Sequence, residues 1–478
     1  MTSKVTRRHI VKGGLGFTVA TMFPGRNAFA QAADENARIV AAAGKGGAKL
    51  KGMIWAPYYN PIRPVLGELK TSTGIEVDSI QDISIFDIPQ RAMAEAISKS
   101  PEFDFFHIDA GMIPSLVSAG LVEPLDPYMK KANFTVNAVG DYSKLMTYGG
   151  QTYGMPTDGN VHIQYVRKDL IDDPATKKSF EDKNGKPLKF PETWDEEFAI
   201  QKHLHNPDKQ IWGSGSLRNR ANGATWFLMM LYSHGGFPFD NDMNPTLNNE
   251  AGKRALQVYL REKEVAHPES AGWGTPQMIP RIAGGLVATA QYWDGTAKLN
   301  ENPEKSKTTG KWYYGPPPGA DVGGKRIVRS ISSPLACLLV NKYSPRKEQA
   351  AYFALWCATS KASTTYVSDR VDTFHDAWHK DHMTSASVKA AYSEAGIKAI
   401  EKSLQVASPP IYLTGYLEFQ DLLGKNLSEA YIGQRKADDV LKQTEEDWAK
   451  VVKRIGKTKL KKDLETYKSV MPKIDKPA

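Results

Sequence analysis

The chain has 478 residues, 41% hydrophobic and 24% charged, a balance that excludes disordered and collagen-like chains, and its length exceeds any single small domain. The formal charge is +9, but Lys4, Arg7, Arg8, Lys12 and Arg26 stand in the first thirty positions without one acid, so the remainder carries only +4. A charge that small over about 450 residues is weak evidence for any polyanion partner.

The N-terminus reads as an address. Thr6-Arg7-Arg8-His9-Ile10-Val11-Lys12 precedes an uncharged stretch, Gly13 to Phe23, and then Ala28-Phe29-Ala30, a small-x-small end suited to signal peptidase. Residues 1–30 resemble a twin-arginine signal peptide, with Ile10-Val11 where the usual pattern has Phe-Leu. An apolar stretch of about 11 residues is too short to span a bilayer, so cleavage and a soluble periplasmic protein are expected. The Ala/Gly-rich residues 31–48 read as a flexible leader.

From residue 49 short apolar runs alternate with helical stretches, the pattern of βαβ units. Strands are predicted over 52–56, 75–80 and 103–108, and helices over 61–73, 87–99 and 113–119, the last closing at Gly120. Ligands of such sheets bind beyond the carboxyl ends of the strands, so the loops 57–60, 81–86 and 109–112 should face one cleft. A second unit opens near Val161 with a strand to Val166, followed by helices from Thr193 and Gly223. Thr193 with Glu196 three residues on is a capping box. Strands over 327–330 and 335–340 and a helix over 346–359 follow, then a mainly helical, Lys-rich end whose charges suit a solvated face.

Several catalytic and metal motifs fail. Gly319 to Lys325 fits G-x-x-x-x-G-K, but Arg326 replaces the required Ser/Thr, so a plain loop is predicted. There is neither an H-E-x-x-H nor a G-x-S-x-G. His375, His379 and His382 fall on one face of a possible helix, where Asp376, Lys380 and Asp381 favour a solvated surface over a metal. Cys337 and Cys357 read as buried small hydrophobes, a disulfide between them being the alternative.

Other segments carry a family likeness: Leu121 to Asp126, Tyr153-Gly154-Met155-Pro156, Tyr165 to Leu170, Pro191-Glu192-Thr193-Trp194-Asp195-Glu196, Gly235-Gly236, Gly284 to Thr289 before Tyr292-Trp293, and Ser360-Lys361. In this order they resemble the extracellular solute-binding proteins of ABC importers, family 1, the maltose-binding-like group, with Val166-Arg167 departing from its usual Y-N-K-D-L element. The resemblance implies an α/β fold of two lobes, a type II periplasmic binding protein. Residues 49–158 plus 334–370 would form the N-terminal lobe, and 159–333 plus 371–478 the C-terminal lobe. It also implies a carbohydrate or polyol ligand held between the lobes, a membrane permease as partner, a monomer, and no cofactor or nucleic acid.

A sugar presents apolar C–H faces and a rim of hydroxyls, so its site needs aromatic platforms and carboxylate acceptors. Tyr58 and Tyr59 follow the first predicted strand, Asp82 the second and Asp109 the third. Asp82 and Asp109 suit helix N-caps as well as ligand acceptors. Asp158 and Asn160 lie at the first crossing, where the family carries contacts, and Tyr292, Trp293 and Asp294 match the place of a second-lobe stacking Trp. Trp226, followed by Phe227-Leu228-Met229-Met230, suits core packing as well as stacking. By the same resemblance Ser332 and Ser333 mark a second crossing, and Arg370 and Asp372 a third. A twin-arginine-exported enzyme is one alternative, disfavoured by the missing constellations. A non-sugar solute such as a phosphate ester or polyamine is another, which Arg63 and Arg370 leave open.

Overall fold

The computed structural model describes residues 35–333, 335–371 and 374–473. The signal-like segment and Asp372 therefore lie outside the described residues. The first sheet has five strands in the order Ile75–Gln81, Ala48–Met53, Phe105–Asp109, Ala336–Val340 and Gly154–Pro156. The first three run parallel, joined by helical crossovers, whereas Ala336–Val340 runs antiparallel to both its neighbours. Phe105–Asp109 and Ala336–Val340 are buried along their whole length, as expected of strands covered by helices on both faces.

The second sheet orders Trp312–Gly315, His162–Arg167, Val287–Trp293 and Trp212–Ser214. Against its underside packs the helix Gly223–Ser233, buried at every residue. The helix Trp194–Leu204 starts with the expected capping box: Thr193 Oγ1 accepts from Glu196 N at 3.1 Å, and Glu196 Oε2 accepts from Thr193 N at 3.1 Å.

Three segments connect the sheets: 157–161, 332–335 and the stretch after the helix Ser360–Val367. The first two pair through a Val161–Ser332 bridge. The first and third touch where Gly159 N donates to Asp376 O at 3.1 Å. Only glycine fits at 159, because a Cβ there would lie 2.3 Å from Ala377 O.

Several sequence expectations change. The helix predicted over 61–73 is three pieces, Ala56–Ile62, a 3-10 turn Arg63–Val65 and Leu66–Thr73. Pro64 supplies no N–H and crowds the preceding turn, and the predicted loop 57–60 becomes part of the first piece. The leader is not loose throughout: residues 35–43 form a helix with Ile39 buried, and Glu35 Oε2 caps the helix Ser360–Val367 at Ser360 N, 3.0 Å away. The three histidines do not form a solvated face. His375, His379 and His382 are all buried, and only the short helix Lys380–Thr384 forms there. The loop at 319–325 is a hairpin, Ala320–Val322 against Lys325–Ile327, turned by Gly323 and Gly324 at positive φ. Cys337 and Cys357 are buried free thiols. Among the described residues no helix is long and apolar enough to cross a membrane.

Candidate functional site

The crossings hold the most unusual electrostatics of the molecule. Asp158 on the first crossing, Asp376 on the third, and Asp294 and Lys298 at the exit of the strand Val287–Trp293 are all buried. Asp158 Oδ1 accepts from Asp376 N at 2.8 Å, and its Oδ2 accepts from Tyr58 Oη at 3.2 Å. Tyr392 Oη donates to Asp376 Oδ1 at 2.7 Å. Lys298 Nζ donates to backbone, to His375 O at 2.6 Å and Val367 O at 3.3 Å, and to none of the carboxylates. Burial, then the charge of Asp376, holds Asp158 and Asp294 well above the usual carboxyl range, and burial lowers Lys298. Both ring nitrogens of His375 face carbonyl oxygens, Thr157 O and Tyr58 O, at 2.7 Å. Those two bonds favour the charged ring, but burial outweighs them and pushes the pKa down to about 4.

Beside this cluster the second sheet presents aromatic rings. Trp293 meets Trp226 edge to face at 5.3 Å and Tyr292 at 5.0 Å, and His162 packs 4.5 Å from Trp226. Trp226 and Tyr292 are fully buried, and Trp226 Nε1 donates to Gln291 O at 2.9 Å, so both are walls of the core and neither offers a face to a ligand. Trp293 alone of the three is partly exposed. Its Nε1 donates to Ser333 O on the second crossing at 2.6 Å, fixing the ring across the junction.

Asp109 ends the strand Phe105–Asp109 and serves as the cap its sequence allowed for. Its Oδ1 caps the turn that follows, accepting from Gly111 N at 3.0 Å, and also accepts from Leu335 N at 3.1 Å. Its Oδ2 accepts from Tyr416 Oη at 2.6 Å. Burial raises Asp109, and these three donors oppose that rise. Tyr416 begins the helix Tyr416–Tyr431, which packs on the second-sheet side, so the bond ties the two halves together.

The remaining predicted residues scatter. Tyr58 is buried among Trp55, His107, Phe374 and His375. Tyr59 is half-buried near Arg63 and Cys357 and makes no ring contact with Trp293. Asp82 is exposed, and its Oδ1 accepts from Ala56 N at 2.9 Å, capping a helix in place of a missing local cap. Asn160 adopts a φ of 42° at the crossing, and Ser332 Oγ donates to Gly159 O and Asn160 O. Arg370 lies on the surface, where it donates to Ala390 O at 2.8 Å. Tyr142, Lys298, Tyr392 and Tyr416, which join this region, had no sequence signal, since each meets a partner remote in the chain. Among the described residues, no group of three His, Cys, Asp or Glu side chains is placed to hold a metal.

The fold has known counterparts. The model of the bacterial extracellular solute-binding protein family matches residues 56–364. A probable amino-acid ABC transporter periplasmic-binding protein of Sinorhizobium fredii is 24% identical over 316 residues, 62% of this chain, and the chain spans 65% of that relative's length. A mannitol-binding protein of Pseudomonas aeruginosa is 24% identical over 336 residues, covering 64% of this chain and 71% of its own. Among solved structures, an ABC transporter solute-binding protein of Agrobacterium radiobacter in complex with ribitol superposes with a TM-score of 0.71 at 19% identity, over 85% of this chain and 99% of that one. With the family model covering well over half its length, the chain belongs to the bacterial extracellular solute-binding protein family.

Proposed function

We propose that this protein is the solute receptor of an ABC importer, which takes up a sugar or sugar alcohol between its two sheets, closes, and hands it unaltered to a membrane permease. The observation that carries the reading is the pairing of two α/β halves through three adjoining crossings, with a partly exposed Trp293 and the carboxylate of Asp109 beside them. Relatives named for mannitol and ribitol support a polyol. Closure follows from linkage: a solute touching both halves binds the closed form better and shifts the population toward it. Trp293, Asp109, Asn160 and the crossing serines are the side chains we assign to contact the solute, with Asp158 and Asp294 as buried supports behind them. Export by the twin-arginine route to the periplasm rests on Arg7-Arg8 and the segment after them.

A thermal-shift screen of the purified protein against polyols, monosaccharides, oligosaccharides and amino acids tests the reading. A polyol or sugar at about 100 times its dissociation constant should add about 2.7 kcal/mol of stability. Stabilisation by amino acids alone would refute it.

A further inference from the structure

Asp294 presents a problem that its surroundings do not solve. Both carboxylate oxygens are buried, and among the described residues no N–H or O–H donates to either. An ionised carboxylate in that setting has neither water nor donors to replace it. Its near neighbours make matters worse, since Asp376 and Asp158 are also carboxyls and Lys298 is the one ammonium among the three.

The other groups facing the cluster are already committed. Tyr392 serves Asp376, Tyr58 serves Asp158, and the hydroxyls of Tyr142 and Tyr165 go to backbone carbonyls. Both nitrogens of His375 face carbonyls, and Asp369 and His382 interact with Lys298. A protonated Asp294 would itself become a donor, and Asp376, whose charge bears on it most strongly, is the acceptor at hand. Burial together with the charge of Asp376 pushes Asp294 in the same direction, toward the protonated form.

We propose that a proton carried by Asp294 and donated to Asp376 latches the third crossing to the second half of the molecule, and that its loss in alkaline solution loosens the closed clamp. The proton leaves to water, and two adjoining carboxylates then repel across the junction. Gly159 lies so close to Ala377 that the crossings have no slack to absorb the repulsion. Solute affinity therefore falls with rising pH through Asp294, a group that is not itself a solute contact. This regulation rests on the solute-binding reading above, whereas the latch itself does not.

The test compares wild type with D294N, whose amide donates to Asp376 without titrating. Melting curves without solute and calorimetric titrations with D-mannitol are both run from about pH 6 to about pH 9. Wild type should lose melting temperature toward the alkaline end, and its mannitol affinity should fall by up to tenfold per pH unit, the limiting slope for one linked proton, ~1.4 kcal/mol. D294N should show a clearly shallower alkaline loss in both measurements, keeping only the slope that Glu197 and Asp158 contribute. Equal pH slopes in the two proteins overturn the latch, as does a wild-type melting curve that stays level. If D294N does not fold, D376N, which removes the repelling charge, should flatten the same curves. If mannitol gives no heat at any pH, the solute reading fails for this probe and the melting slopes alone decide the latch.

Discussion

Trp226 and Trp293 stand edge to face, 5.3 Å apart, yet their removal should have opposite consequences. Trp226 is wholly buried with its indole N–H satisfied, so Trp226→Ala leaves a cavity and should cost about 3–5 kcal/mol in denaturant unfolding. Trp293 is partly exposed at the junction, and Trp293→Ala should lower polyol affinity at least about tenfold, or about 1.4 kcal/mol, by titration calorimetry. Unchanged affinity would remove Trp293 from the site. Their difference was half legible: the apolar run after Trp226 pointed to the core, and the Asp after Trp293 to exposure at the cleft. The acid cluster was not legible, because Asp158 meets Asp376 across 218 residues and no local spacing encodes that meeting. Arg370 illustrates the converse, a residue chosen by its place in the family order that this chain turns to solvent.

Among the elements, the helix Trp194–Leu204 shows both what local chemistry fixes and what tertiary burial adds. Its capping box was readable from Thr193 and Glu196, and Thr193→Ala should cost about 1 kcal/mol by thermal or denaturant melting. Its Glu197 was not readable. It lies beneath the second sheet, accepting from Gln164 Nε2 at 2.9 Å and from Gln291, and burial with the nearby charge of Glu262 raises its pKa to about 8. The folded state thus keeps a proton that the unfolded chain releases near 4.5. Its contribution to stability is full below that pH and declines as pH rises toward about 8. Glu197→Gln, which keeps the acceptor oxygen, should flatten that part of the pH–stability curve, and an unaltered slope would exclude Glu197 as its source. The helix predicted over 61–73 is broken for a reason also present in the chain, Pro64, which overrides the apolar spacing around it.

At the scale of the molecule, alternating apolar runs and helical stretches announced an α/β fold, and the order of family-like segments announced two halves. What the pattern could not convey is how much of the chain ties those halves together. Tyr416 reaches Asp109, Tyr412 Oη donates to Thr147 O at 2.9 Å, and Tyr148 Oη donates to Asp463 Oδ1 at 2.5 Å, so the segment after residue 407 braces both sides. Tyr416→Phe removes one brace across the junction and should enlarge the radius of gyration of the solute-free protein in X-ray scattering; an unchanged radius would show that the bond carries no closure energy. The central claim is that the two halves hold one polyhydroxylated solute between them, and titration calorimetry of the purified protein with D-mannitol, ribitol and maltose tests it most directly. We expect saturable binding of at least one of them at one molecule per chain, weakened by Trp293→Ala. Absence of heat with all three, or binding unaffected by that substitution, would contradict the account.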